Sequence, residues 1–141
     1  MSTVKHSAST NLGLLLMRVM LGVVFIYHGQ AKFSGGLDGF SGYLDSLGVP
    51  LPMLSAWLAA LAELLGGLIL LAGVAFRFTL WPLVFTMLVA CFTAHAGKFS
   101  VQDKGMEYPL TLAVMVTGLA LVGAGDWTLG LLLGRDRDGQ R

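Results

Sequence analysis

The chain has 141 residues, of which 55% are hydrophobic and 12% charged, and its formal net charge is +1. A soluble domain ordinarily carries about 25% charged residues, so this composition cannot cover a water-facing surface and predicts an integral membrane protein. The small net charge argues against a nucleic-acid partner held by electrostatics, and the single cysteine, Cys91, excludes an internal disulfide.

Four apolar stretches qualify as membrane spans, for which a helix needs roughly 20 mostly apolar residues. They cover residues 12–30, 54–73, 79–96 and 108–123. Because lipid offers no partner to backbone polar groups, each stretch is predicted to be helical. We therefore predict an all-α fold, an integral membrane four-helix transmembrane bundle with short loops, over residues 12–125. Residues 1–11 and 126–141 are predicted to be polar tails.

The first span has the apolar character of a secretory signal peptide, but no small-residue cleavage site follows it, and we interpret it as a retained span. The loop after it contains apolar residues at helical spacing. This spacing predicts a short amphipathic helix at the membrane surface. An irregular loop rich in glycine is an equally good interpretation. The spaced apolar residues are Phe40, Tyr43, Leu44 and Leu47.

Four spans place both termini on one side of the membrane. Basic residues are more numerous on that side, so the positive-inside rule places both termini in the cytoplasm. On the predicted cytoplasmic side they are Lys5, Arg77, Arg135, Arg137 and Arg141, and on the other side Lys32, Lys98 and Lys104.

Small residues on spans one and two predict close helix packing at Gly22, Gly29, Gly66 and Gly67. A second expected contact between these spans is ionic. Counted from the outer ends of their spans, Arg18 and Glu63 lie at similar depths near the bilayer centre, where a lone charge is costly. We predict a structural ion pair between them. In the alternative, Arg18 lies near the inner interface and extends to water.

A second polar group is predicted at the outer mouth of the bundle, where the ends of three spans meet. The candidate catalytic residues are His28, His95 and Glu107. The two histidines suit proton exchange because an imidazole changes charge near neutral pH. The candidate ligand-binding residues are His28, Lys32, Glu63, His95 and Tyr108. Each has a simpler explanation: Lys32 as an interfacial anchor, His95 bonded to a nearby carbonyl, and Glu107 as a first-turn charge favouring the helix dipole.

Two kinds of site fit these residues. A metal site would use His28, His95 and Glu107 as a 2-His-1-carboxylate set, but no local ligand spacing supports it, and we predict no metal. A quinone site needs an apolar slot, hydrogen-bond donors for the carbonyls and a group that exchanges protons. The residues favour the quinone site, although no cofactor is identified by a motif.

Several segments resemble the DoxX family of small bacterial membrane proteins. They are LLLMRVMLGVVFIYHGQAKF, GVPLP, AALAELLGGLILLAGVAFR, MLVACFTAH and GMEYPL, in that order between Leu14 and Gly125. The resemblance implies a four-helix protein of the bacterial inner membrane, in a family linked with thiosulfate- or quinone-coupled oxidoreductases and with resistance to quinones or oxidative stress. The family motifs fall on Arg18, His28, Gly29, Lys32, Glu63, Gly66, Gly67, Arg77, His95, Glu107 and Tyr108.

The segment GAGDWTLG departs from the family pattern. Asp126 stands where the family often has a basic residue, and Gly130 replaces a final acidic residue. This departure leaves a pairing role for the turn open.

The leading hypothesis is an accessory or quinone-binding component of a membrane oxidoreductase or oxidative-stress system, working with a membrane or periplasmic redox partner. The alternative is a non-enzymatic membrane scaffold that docks a redox or secretory partner. A small transporter is less favoured, because no broken helix or inverted repeat is visible. No complete catalytic motif is present, and whether the protein is an enzyme or a homo-oligomer stays open.

Overall fold

The computed structural model describes residues 6–74 and 76–132, and within them all regular structure is helical, which confirms the predicted all-α fold. Lys5, Arg135, Arg137 and Arg141, part of the predicted charge bias, lie outside the described residues. The described α-helices are α1 (Ala8–Ser34), α2 (Leu37–Ser46), α3 (Pro52–Ala72), α4 (Phe76–Thr79), α5 (Trp81–Phe92), α6 (Glu107–Val122) and α7 (Leu129–Leu132), with a 3-10 turn at Val101–Asp103.

Two of these helices, α1 and α3, are long and apolar enough to cross a membrane. They have 27 and 21 residues and include most of the first two predicted spans. Helices α5 and α6 have 12 and 16 residues, fewer than the roughly 20 that a full crossing takes. The third predicted span, 79–96, is helical only to Phe92, where the backbone turns at Thr93. Four complete crossings therefore stay a prediction.

The loop after α1 contains the helix α2, so of the two interpretations of this segment the helical one holds. Glycines with positive φ flank it, Gly36 at +89° and Gly48 at +75°, and both allow the chain to reverse sharply. Asp38 and Asp45 are exposed, whereas Phe40 is partly covered. The helix packs mainly against α3.

Helices α1 and α3 form the most extensive contact in the fold and run antiparallel. A Cβ added at Gly29 would lie 2.6 Å from the backbone nitrogen of Leu64, and one at Gly22 would lie 2.7 Å from Cγ of Leu71. Because real Cβ atoms do not approach so closely, these positions need glycine. The glycines therefore fix which residues of the two helices lie side by side.

The rest of the bundle closes on this pair. Helix α5 packs against α6. Helix α3 meets α5 where the Leu83 side chain covers Gly66, so that a Cβ added at Gly66 would lie only 2.5 Å from that side chain. Buried side chains from four helices, among them Phe25, Leu70, Leu83 and Val116, fill the shared core. Helices α3 and α5 touch less extensively than α1 and α3 or α5 and α6 do, and space remains between them beyond this contact.

The α1–α3 contact predicts that Gly29→Ala lowers the free energy of unfolding by about 1–3 kcal/mol, because the methyl group has no space beside Leu64. Chemical unfolding in detergent micelles measures the change. Gly13→Ala is the matched control on the same helix, since nothing lies within 4 Å of its added Cβ. Its expected effect is neutral or a gain of up to ~1 kcal/mol from helix propensity. Equal stabilities of the two variants would contradict the proposed contact.

Candidate functional site

A cavity of about 580 Å³ lies between the helices, bounded by α1, α2, α3, α5 and α6. Most of its wall is apolar, with side chains such as Phe25, Leu58, Phe85 and Leu112. All of the predicted ligand-binding residues line it, so the structure brings residues from three helices and from the turn after α5 to one place. They are His28, Lys32, Glu63, His95 and Tyr108.

An ion pair lies in the cavity wall. Nζ of Lys32 donates a hydrogen bond of 2.5 Å to Oε2 of Glu63. The Glu63 side chain is only 4% exposed, and that of Lys32 is 20% exposed. The same ammonium lies 5.3 Å from the ring centroid of Phe40, which brings α2 into the site through a cation–π contact. Lys32 is thus more than an interfacial anchor.

The predicted Arg18–Glu63 ion pair is wrong, because Glu63 bonds Lys32 and Arg18 bonds elsewhere. The depth estimate assumed that the outer end of α1 and the outer start of α3 lie at one level. With Gly29 beside Leu64, Glu63 lies level with about Gln30. Arg18 is twelve residues away, or roughly 18 Å along the helix axis.

Arg18 is instead held by the turn that follows α6. Its guanidinium donates to the carbonyl oxygens of Ala124 and Trp127, at 2.5 and 2.9 Å. The side chain is 1% exposed, so it does not extend to water as the alternative had it. Ala124 follows the end of α6, where helix carbonyls lack partners and carry partial negative charge. The helix end therefore stabilises a cation that has no carboxylate partner among the described residues.

The same turn is bonded to the start of α1, an interaction that sequence reasoning missed. Asn11 accepts from the backbone nitrogen of Asp126 at 2.7 Å and donates to the Asp126 carboxylate at 3.1 Å. That carboxylate also accepts from the backbone nitrogen of His6 at 3.0 Å. The turn thus has a pairing role although it departs from the family pattern. The available signal was that Asn11, Leu14 and Arg18 fall on one helical face.

His28 and Tyr108 meet in the cavity, with ring centroids 6.1 Å apart. Tyr27 packs edge-on against His28 from the side, at 5.6 Å. His28 is exposed, and within the described part of the chain neither of its ring nitrogens forms a hydrogen bond. Tyr108 lines the cavity together with Lys32 and Glu63. A phenol, an imidazole and an ion pair therefore share one wall.

His95 reaches the cavity from the turn that follows α5. Its Nδ1 lies 2.7 Å from the carbonyl oxygen of Lys104, in the loop before α6. His95 thus bonds a nearby carbonyl, as its simpler explanation predicted, and it also lines the cavity with the other candidate residues. Helix α5 ends at Phe92 because the backbone of Thr93 leaves the helical conformation, at φ −116° and ψ −82°, and the chain then turns through Gly97 at a φ of +83°.

Glu107, the third catalytic candidate, does not line the cavity. Its carboxylate accepts a 2.9 Å hydrogen bond from the backbone nitrogen of Val101 and so orders the loop before α6. This structural role at the first turn of α6 explains the presence of Glu107 better than catalysis does. Within residues 6–74 and 76–132, no three metal-ligating side chains of His, Cys, Asp or Glu converge.

The Arg18 contact predicts that Arg18→Ala lowers the free energy of unfolding by about 3 kcal/mol, because two buried carbonyls lose a charged donor. Denaturant unfolding in micelles provides the measurement. Arg77→Ala is the control, since this exposed residue makes one 3.2 Å bond to the Leu121 carbonyl, and its change should stay within about 0.5 kcal/mol. Similar losses in the two variants would argue against a special role for Arg18.

For the Lys32–Glu63 pair, each single variant Lys32→Met or Glu63→Met is expected to cost about 2–4 kcal/mol, because it leaves one charge without its partner. The double variant Lys32→Met/Glu63→Met should recover most of the loss, since no charge then needs a partner. Unfolding of all three in one detergent tests the coupling, with the exposed Lys98→Met as control. Additive losses would show that the two residues do not interact.

Comparison with known proteins agrees with this architecture. The DoxX family model matches residues 13–96. A Bacillus subtilis protein named "Putative oxidoreductase CatD" is 32% identical over 116 residues, covering 82% of this chain and 83% of its own. An uncharacterised Haemophilus influenzae protein is 30% identical over 129 residues, covering 88% and 85% respectively. No solved structure matches. The extent of the family match and the curated relatives show that this chain belongs to the DoxX family of helical membrane proteins.

Proposed function

We propose that this protein binds a quinone-like molecule in the cavity and acts as an accessory of a membrane oxidoreductase or oxidative-stress system. The observation that carries the proposal is an apolar cavity of about 580 Å³ whose wall contains an ion pair, two imidazoles and a phenol. Ligand sites commonly have volumes of roughly 300–1,000 Å³ and a mainly apolar lining with a few polar groups. The name of the Bacillus relative points to the same class of chemistry.

The charge of the cavity favours an uncharged ligand. The ammonium of Lys32, which is the cation among the described lining residues, is already neutralised by Glu63 at 2.5 Å. An inorganic anion such as thiosulfate would have to displace this carboxylate and lose its own hydration. A neutral ring with two carbonyl or hydroxyl groups can instead bond Lys32 or Tyr108 at its edge while its face packs against apolar side chains.

The cavity is placed to receive such a ring from lipid. Leu58 on α3 and Phe85 on α5 line it, yet they are 59% and 70% exposed on the outside of the bundle. The gap between these two helices therefore opens on an apolar face. A quinone dissolved in acyl chains could enter there without crossing water.

The proposed setting is the bacterial inner membrane, crossed four times. In this topology α4 and α5 act together as the third crossing, and their ends are completed by turns that lie at the interfaces. With both termini in the cytoplasm, the cavity lies in the outer half of the bilayer, and a membrane or periplasmic redox partner would reach it from that side. In this orientation Arg77 lies at the cytoplasmic end of the bundle, and Lys98 and Lys104 lie at its outer end.

A second function, a non-enzymatic scaffold, is favoured by one observation. Both strongly buried charges, Arg18 and Glu63, have partners within the fold and so serve its assembly. A scaffold would need the bundle and its outer surface but not the space between α3 and α5. Filling that space separates the two functions.

Ala62→Phe fills the cavity from α3, and Leu61→Phe adds an aromatic ring to the exposed face of the same helix. We expect wild-type protein and Leu61→Phe to retain quinone through purification and Ala62→Phe to lose at least about 90% of it, because the new ring occupies the ligand volume. Lipid extraction and mass spectrometry provide the measurement. Wild-type protein free of quinone would refute the proposal, and a stable protein partner retained by all three proteins would favour the scaffold.

A further inference from the structure

His95 is the lining residue whose protonation pattern can be assigned from its partner. Its Nδ1 lies 2.7 Å from the carbonyl oxygen of Lys104. A carbonyl oxygen only accepts hydrogen bonds, so Nδ1 carries the proton and donates it. In a neutral imidazole the other nitrogen, Nε2, is then an acceptor. The ring lines the cavity while Nδ1 is bound to the loop, which leaves Nε2 as its available nitrogen there.

The loop that presents the Lys104 carbonyl is held by several bonds. Lys104 has a φ of +60° at the end of the 3-10 turn, and its backbone nitrogen donates to the Val101 carbonyl at 3.0 Å. The next residue, Gly105, donates to the Ser100 carbonyl at 2.8 Å and is packed so closely that an added Cβ would lie 2.5 Å from the backbone of Phe99. The Glu107 carboxylate holds the Val101 nitrogen. The carbonyl is therefore fixed before any ligand arrives.

The other polar groups of the cavity differ from His95. Lys32 has only donors, and the Tyr108 hydroxyl can donate, so both suit the carbonyl of an oxidised quinone. The ring of His28 makes no hydrogen bond within the described part of the chain and can present either nitrogen. His95 is therefore the imidazole whose acceptor is assigned by the fold, whereas the Glu63 carboxylate, which also accepts, is already bound by Lys32. The lone pair on Nε2 of His95 would repel the carbonyl oxygen of a quinone, whereas a ring hydroxyl of a hydroquinone would donate a hydrogen bond to it.

We propose that Nε2 of His95 accepts a proton from the ring hydroxyl of a bound hydroquinone, so that the site prefers the reduced form of its ligand. This inference rests on the proposed function and names the redox form that the same cavity takes. In the step, the O–H bond breaks, an N–H bond forms at Nε2, and the electron pair stays on oxygen. The products are a phenolate and an imidazolium, with no change in oxidation state. The phenolate and the imidazolium together carry no net charge.

The first experiment tests the tautomer without a ligand. Full-length protein in detergent is labelled with 15N-histidine, and the His95 signal is identified as the one missing from His95→Phe. We expect a protonated Nδ1 and an unprotonated Nε2 in the neutral ring. Lys104→Gly, which removes the side chain but keeps the carbonyl, should give the same pattern. A proton on Nε2 in the wild type would overturn the inference whatever the ligand proves to be.

The second experiment compares a short-chain benzoquinone with its hydroquinone, kept reduced without oxygen, by titration of the same preparations. The wild type and Lys104→Gly should bind the hydroquinone roughly tenfold more tightly, as expected for one hydrogen bond gained against a lone-pair repulsion. In His95→Phe the ratio should fall to within about twofold, while His28→Phe should keep it even if both affinities fall.

The outcomes separate the two proposals. A wild type that binds both forms equally would overturn the role of His95 and leave quinone binding intact. A wild type that binds neither form would overturn both, even if the tautomer is as expected. A ratio lost equally in His28→Phe and His95→Phe would show that the preference does not come from the fixed acceptor.

Discussion

The glycine contact between α1 and α3 is the constraint on which the rest of the structure depends. Gly22 and Gly29 bring the two backbones together in a single register, because any other register would place side chains where only hydrogen atoms fit. This register puts Lys32, and not Arg18, within reach of Glu63. The register therefore determines which charged groups line the cavity. The compact ammonium of Lys32, on its flexible stem, leaves room for a ligand beside the Glu63 carboxylate.

The register also leaves Arg18 without a carboxylate, and the fold compensates at the end of α6. A helix end offers carbonyls that lack intrahelical partners, and its dipole adds partial negative charge. The turn after Val122 directs the carbonyls of Ala124 and Trp127 at the guanidinium, while Asp126 binds Asn11. These bonds join the start of α1 to the end of α6. The buried guanidinium of Arg18 therefore also holds these two helices together.

Sequence reasoning predicted what depends on composition and helical faces, and it failed where relative position mattered. It predicted the all-helical fold, and the residues that it named for ligand binding all line one cavity. It paired Arg18 with Glu63 because depth was counted from apolar boundaries, which do not say how far α3 extends past the end of α1. The role of Glu107 was missed for a similar reason, since the bond to Val101 depends on a loop conformation that local spacing does not specify.

The polar residues of the cavity wall differ in how much each of them also contributes to the stability of the fold. Glu63 is 4% exposed and ion-paired, so any change there alters the fold as well as the site, and a loss of function at Glu63 alone could not distinguish a binding site from a scaffold. His28 is exposed and makes ring contacts without hydrogen bonds in the described chain. His95 lies between these cases, because its ring bonds a loop that is already held by other groups. His28 and His95 are therefore the positions at which the proposed binding can be altered while the bundle is retained, and in that proposal they are also the groups suited to exchange protons with a ring hydroxyl.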